Sequence, residues 1–324
     1  MFKISLTLLG AAFSIGAFAQ PLAKAGLSGE LTGLIGFSSG KSNFNTDEKE
    51  KEGELNSEAK SKSEALYALL GQVRYTFGKD NDHQLFLGTS RDDIAKGEFV
   101  LEAGYKIGIG EESTIALSYL PGLIAETWED PYVTGKRKTT DISSDAIRLK
   151  YVSILDSNFS ADLAYDTLKL GQEKSGYSIN NNKAISSLDR DGDGVYSKLS
   201  YSYKLNDMSL IEPSVIFRSF SADGKAMSNT SYGVELSYMR FTGHHAFIVS
   251  TDYMKTSFDD EHFVFAKKRE DSRYSVFAAY EYDNFMGLDD WAFNSIAGYD
   301  VNSSNIDFYK ENELIVGAGL TYKF

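Results

Sequence analysis

The sequence predicts an all-β fold: a transmembrane antiparallel up-and-down β-barrel of about fourteen strands. Three observations predict it: apolar residues recur with a period of two in segment after segment, the connections alternate between short and long, and the composition is aromatic-rich but proline-poor. The 324 residues include 20 Tyr and 21 Phe but only 4 Pro, and mean hydropathy is −0.29. A barrel gives such a chain because only alternate residues face lipid.

The beginning, MFKISLTLLGAAFSIGAFAQ, has a basic start at Lys3, an apolar stretch from Ile4 to Phe18 and small residues at Ala17 and Ala19. This is the pattern of a secretory signal peptide over 1–19, leaving 20–324 as the barrel. No later apolar run reaches the roughly 20 residues a membrane helix needs. Cys is absent, which rules out a disulfide-stapled secreted fold. The formal charge of −13 argues against nucleic acid as a partner.

The strands follow in order. Leu27, Leu31 and Ile35 face outward in the first, and Tyr67, Leu69, Val73, Tyr75 and Phe77 in the second, against Gln72, Arg74 and Thr76. Leu85 and Leu87 mark a short third; Phe99, Leu101, Tyr105, Ile107 and Ile109 mark a fourth against Glu102 and Lys106. Ile115, Leu117 and Tyr119 follow, then Ile147, Leu149 and Tyr151 opposing Arg148 and Lys150, then Phe159, Leu163 and Tyr165 opposing Asp162 and Asp166. After a long gap come Leu199, Tyr201 and Tyr203 against Lys198 and Lys204, Val215 and Phe217 against Arg218, and Val234, Leu236 and Tyr238 against Glu235. Phe247, Val249 and Tyr253 oppose Asp252; Tyr274, Val276, Tyr280 and Tyr282 oppose Arg273 and Glu281; Trp291, Phe293 and Tyr299 oppose Asn294 and Asp300. The last strand alternates Leu314, Val316, Ala318, Leu320, Tyr322 and Phe324 with small or polar residues. Tyr322 and Phe324 are read as the assembly signal, because this ending resembles the strand recognised by the bacterial barrel-assembly machinery. Twelve strands would result if the third segment, or the one holding Pro213, were not a strand.

Short connections fall at 78–83, 111–113, 156–158, 206–209, 242–245 and 283–290, and long ones at 39–62, 125–143, 172–194, 221–229, 255–271 and 301–312; 91–97 is a short member of the long set. Short periplasmic turns and long external loops characterise bacterial outer-membrane barrels, and an even count leaves both termini in the periplasm. A soluble β-sandwich also alternates, but it would bury its aromatic face and does not account for the loop asymmetry.

Candidate pore residues are the inward charges Arg74, Glu102, Lys106, Arg148, Lys150, Asp162, Arg218, Glu235, Arg273 and Glu281. They either line a wet channel and set ion preference or pair across the wall and fill the barrel. Bulky inward Leu66, Leu70, Phe86, Ile216 and Phe277 favour filling; small Gly88, Gly104, Ser118, Gly233, Gly298, Gly317 and Gly319 favour an open bore. The basic clusters at 136–138 and 267–269 suit lipopolysaccharide phosphates. LDRDGDGV places Asp189, Asp191 and Asp193 as in the first half of a calcium loop, but Ser200 stands where that loop needs Glu. No cofactor is expected. Of four His residues, His83, His244 and His245 fall in turns and His262 in a loop beside Asp259, Asp260 and Glu261, which supports catalysis poorly.

The stretches GLSGELTGLIGFSSGKSNFNTD from Gly26, FLGTSRDDIAKG from Phe86, ETWEDPYVTG from Glu126 and FAAYEYDNFMGLDDWAF from Phe277 resemble an uncharacterised proteobacterial outer-membrane family, a domain of unknown function. That resemblance implies a porin-like barrel but carries no ligand or catalytic residue. The expected function is passive diffusion of small solutes, with Arg74, Arg148, Arg218 and Arg273 facing Glu102, Asp162 and Glu235 across the lumen. The alternatives are a non-conducting structural or surface-recognition barrel acting through its external loops and, more remotely, a barrel hydrolase.

Overall fold

The computed structural model describes residues 22, 24–89, 100–122 and 125–324. Among them, period-two segments become fourteen strands in one closed wall. In order these are β1 (Gly26–Lys41), β2 (Lys62–Phe77), β3 (His83–Thr89), β4 (Leu101–Ile109), β5 (Ser113–Leu120), β6 (Thr139–Val152) and β7 (Phe159–Leu170). They continue as β8 (Gly192–Tyr201, resuming at Tyr203–Asn206), β9 (Ser209–Ala222), β10 (Asn229–Thr242), β11 (His245–His262), β12 (Lys267–Asp283), β13 (Trp291–Ser304) and β14 (Glu311–Lys323). Each pairs antiparallel with its sequence neighbours, and β14 returns to β1 with Leu31 opposite Tyr322. Phe324 finishes the seam: its N–H donates to the Gly29 carbonyl at 3.0 Å, and its own carbonyl accepts from Gly29 N–H at 2.8 Å. Among the described residues every strand of the wall is thus paired with a neighbour on both sides, the arrangement that suits a bilayer.

The count is fourteen, not twelve, because both doubtful segments pair. β3 is only seven residues long yet is bonded to β2 and β4. Pro213 lies in β9 opposite Leu236. The ladder to β8 runs to Ser200 opposite Ser214 and resumes with Tyr203 opposite Ile211. The missing Pro N–H thus interrupts the ladder locally without shifting its register.

The outer surface explains the composition. Exposed Leu, Val and Ile form a middle band, bounded at one end by Tyr75, Phe77, Phe159, Tyr203, Phe247, Trp291, Tyr322 and Phe324. At the other end stand Phe37, Tyr67, Tyr119, Tyr165, Tyr232, Tyr274 and Tyr299. Two aromatic girdles around an apolar belt are the signature of a membrane-spanning barrel. Both ends of the described wall and the short turns lie at the first girdle; the long connections lie beyond the second.

Three expected loops differ from this picture: 125–143 contains the strand segments Ala125–Trp128 and Gly135–Lys136 and the start of β6 at Thr139. The connection at 255–271 is largely strand, since β11 runs on to His262 and β12 starts at Lys267, and half of 301–312 is strand, 305–310 alone joining β13 to β14. Tyr253 and Tyr274 are paired at the girdle, so this hairpin projects well past the membrane. The segment lacks lipid-facing alternation because it does not face lipid, and the period-two test misses it. The signal segment 1–19, Phe99 and the 91–97 connection lie outside the described residues.

Inside, bulky and small residues are partners. A Cβ on Gly104 would sit 2.5 Å from the Phe86 ring, one on Gly298 2.8 Å from the Phe277 ring, and one on Gly317 2.8 Å from Leu34. Large side chains therefore lie flat over neighbouring glycines along the wall. The reading of these two sets as evidence for opposite lumens is corrected by this packing. Gly71 (φ +141°) and Gly88 (φ +133°) pack backbone to backbone, a Cβ on Gly88 meeting the Gly71 carbonyl at 2.1 Å. Only glycine fits there.

Candidate functional site: the loop-end chamber and its roof

The inward charges form ion pairs along the wall. Arg148 of β6 makes a forked contact with Asp162 of the adjacent β7, at 2.6 Å from Nη2 and 3.0 Å from Nε, and approaches Glu102 at 3.9 Å. Lys198 reaches Glu235 at 2.9 Å, Arg218 reaches Asp166 at 3.0 Å and Lys323 reaches Glu281 at 3.0 Å. The side chains of Arg148, Asp162, Lys198 and Glu235 are 0% exposed. Buried charge in such a wall survives only when paired at close range. The expected transverse arrangement, Arg on one side and carboxylates on the other, is thus corrected for Arg148, Asp162 and Arg218, which meet partners one or two strands away. Lys150 lies opposite Asp162 in the ladder, Lys106 sits 5.9 Å from the Phe86 ring, and Arg74 is half-buried opposite Ser28 and Phe86. Lys204 departs from the inward set: it is exposed and pairs with Asp207 at 3.0 Å.

The long connections fold over the chamber's outer end and share a hydrophobic core. Tyr132, Ala184, Leu188, Ala226, Met227, Ile306, Phe308 and Tyr309 are buried together, with Phe44, Leu55, Ile179, Val264 and Phe265 packed against them. The 171–191 connection contributes a short helix, Asn182–Ser187, whose start is capped by the Asn181 side chain accepting from Lys183 N–H. Glu50–Lys51 pairs with Gly135–Lys136. The Trp128 indole N–H and the Arg137 guanidinium both donate to the Asn43 carbonyl, at 2.9 and 2.8 Å, and Arg137 stacks on Trp128.

At the centre of this roof, His262 is fully buried. Its Nε2 is hydrogen-bonded to Tyr309 OH at 2.8 Å and Tyr132 OH at 3.0 Å, and the two hydroxyls meet at 2.7 Å. Arg269 stacks 3.5 Å above the Tyr309 ring and pairs with Asp271 at 2.5 Å. Burial, then the Arg269 charge, push the imidazole pKa down to about 3. His262 lies well beyond the girdle, and its Nε2 partners are tyrosines, not the acids Asp259, Asp260 and Glu261 of the sequence reading. His83 and His245 begin strands instead of sitting in turns.

Beneath the roof is a cavity of about 1130 Å³. Phe44, Met227 and Tyr309 line it from the roof, and Leu34, Leu66, Leu70 and Ile315 from the wall. Nine carboxylates and six basic side chains also line it among the described residues. Arg218 and Arg273 were candidates from sequence; Arg273 pairs here with Asp300 at 2.6 Å. Glu64, Asp271, Glu311 and Glu313 were missed, because they lie where strands pass the lipid band or in segments read as loop. A polar strand between a long connection and an aromatic girdle residue was the available signal.

Asp189 and Asp191 come together with Glu173, not with Asp193; the three carboxylates have ligand atoms within 4.8 Å of one another. Arg190 already donates to Glu173 at 2.7 Å and Asp191 accepts from Leu170 N–H at 2.9 Å, while Asp193 points to the outer face in β8. The basic clusters are also divided. Arg137 and Arg269 are built into the roof, leaving Lys136, Lys138, Lys267 and Lys268 exposed.

The profile of a protein family described as "Protein of unknown function (DUF2860)" matches residues 26–323. The chain therefore belongs to that family. No curated protein matches it significantly. Among solved structures, a deletion mutant of the TodX monoaromatic hydrocarbon channel overlaps at TM-score 0.47 with 12% identity, over 94% of this chain and 91% of that one. The outer-membrane channel DcaP of Acinetobacter baumannii gives 0.42 and 11%, over 93% and 99%. OprD of Pseudomonas aeruginosa gives 0.39 and 12%, over 96% and 100%. These overlaps are loose, and the barrel rests on its own closed ladder.

Proposed function

We propose that this DUF2860 member is a porin-like outer-membrane channel for small solutes, in a conformation whose external mouth is covered by its loops. The observation that carries this reading is the charge-lined chamber of about 1130 Å³ beneath the loop roof. A barrel whose only task was to hold up loops has no need of such a volume, whereas small-molecule sites occupy roughly 300–1,000 Å³. Charges of both signs suit polar solutes, and wall-bound ion pairs below the chamber form the narrow part of the path.

The orientation follows from the asymmetry of the connections. Both ends of the mature chain and the short turns face the periplasm, and the roof faces outside. Tyr322 and Phe324 engage the assembly machinery, and exposed Lys136, Lys138 and Lys268 contact lipopolysaccharide phosphates. Interior filling by fully buried Arg148, Asp162, Lys198 and Glu212 favours one second reading, a non-conducting barrel that works through its roof.

Single-channel recording of refolded 20–324 in a planar bilayer separates the two. Resolved open steps, longer-lived when the roof is loosened by Phe308→Ala, are the expected result. Silence from both proteins, each shown to be folded, would leave the recognition barrel in possession.

A further inference from the structure

We infer that the chamber selects small cations over anions, and that Glu64, Glu311 and Glu313 set this preference; this deepens, and rests on, the channel reading.

The inference starts from how the chamber's charges are used. Its arginines are each engaged: Arg218 with Asp166 at 3.0 Å, Arg269 with Asp271 at 2.5 Å, Arg273 with Asp300 at 2.6 Å, and Arg190 with Glu173 at 2.7 Å. Of the two lysines, Lys62 stands 3.5 Å from Asp47 and Lys41 stands 3.8 Å from Glu58. The positive charge of the lining is thereby cancelled locally.

The carboxylates are in excess and are placed against ordinary folding preference; burial raises the Glu64 and Glu313 carboxyls and pushes Glu311 up to about 7, so the negative surplus is complete only above neutral pH. Glu313 of β14 lies directly opposite Asp300 of β13, and Glu126 directly opposite Asp141. Like charges paired across strands are destabilising, and at the first pair Arg273, 2.6 Å from Asp300, offsets one carboxylate of the two. Small residues lie beside the first pair. Ser38 lies opposite Glu64 and Gly40 opposite Glu313 on the intervening strand β1, and a Cβ at Gly40 would strike the Asn312 carbonyl at 2.4 Å. Glu64, Glu313 and Asp300 thus form a carboxylate band from β2 to β13, with Glu311 two residues beyond, held by a 2.7 Å hydrogen bond from Ser42.

A partly enclosed cavity with a net surplus of one sign of charge concentrates the opposite ion, by roughly tenfold at the lower end of such effects. The occupant is a small metal cation or an organic ammonium, drawn by net charge, not by a coordination shell.

Reversal potentials across a KCl gradient test this, comparing the wild-type barrel with the triple variant E64Q/E311Q/E313Q. The expected result is potassium passing several-fold more readily than chloride in the wild type, with the ratio falling toward unity in the variant at similar open-step size. Open steps without cation preference, or a preference unchanged in the variant, would overturn this inference and leave the channel standing. No open steps in either folded wild-type protein or folded Phe308→Ala would overturn both; where only Phe308→Ala opens, the same comparison in that background decides this inference.

Discussion

The lower wall and the roof are two solutions to keeping polar and aromatic groups out of bulk water. In the wall, buried charges pair one or two strands away on the same face: Arg148 on Asp162, Lys198 on Glu235, Lys323 on Glu281. In the roof, contacts join residues far apart in sequence: Asn43 to Phe308, Trp128 to Asn43, Tyr132 to His262. The wall is fixed by the hydrogen-bond ladder, so its pairs are consequences of register. The roof has only short ladders, Glu50–Lys51 on Gly135–Lys136 and the end of the β11–β12 hairpin, and otherwise depends on a small aromatic core, so it is the region expected to open while the barrel stays closed.

The largest effect should come from breaking a wall pair. Arg148→Ala leaves fully buried Asp162 without its main counter-charge, a loss of about 3–5 kcal/mol. Urea unfolding in detergent, or heat-modifiable mobility on gels, should show a much weakened barrel. The double variant R148M/D162L should recover most of it, since neither charge is then stranded. If Arg148→Ala unfolds like the wild type, the wall is not held by these pairs.

Truncating the roof core should do comparable local damage without reaching the barrel. Phe308 is fully buried among Phe44, Tyr132, Phe265 and Tyr309, and Phe308→Ala should cost about 3–5 kcal/mol within the roof. Limited proteolysis should then cut the long connections while barrel mobility stays unchanged. Simultaneous loss of both would show wall and roof to be one cooperative unit.

A smaller effect should follow pH. Because the buried imidazole's pKa of about 3 lies below its ordinary 6.5, the opened roof takes up the proton more readily than the closed one. Roof stability is therefore complete above about pH 6.5 and declines as pH falls toward about 3, by at most ~1.4 kcal/mol per unit. Hydrogen exchange of roof amides should quicken over that window, and His262→Gln should flatten the dependence. An equally steep profile in the variant would place the titration elsewhere.

The barrel was legible where its residues meet lipid. The alternation of Leu314, Val316, Leu320 and Tyr322 against small residues gives the closing strand, and even the short β3 shows in Leu85 and Leu87. Beyond the girdle the alternating solvent disappears, and the signal with it: Glu311 and Asp271, read as loop, are strand. Inward charges were identifiable residue by residue, but their partners depend on which strand lies beside which and in what register. The same holds for Phe86 and Gly104, read as opposed tendencies and found in contact.

By itself the sequence determined a closed, lipid-embedded barrel with unequal ends, because period-two patterning is a local response to two solvents on two faces. Only the tertiary structure decided that the loops share one core, that Arg137 and Arg269 turn inward, and that a chamber with surplus carboxylates lies beneath. Those features arise where distant segments converge, and no local pattern encodes which loop will meet which.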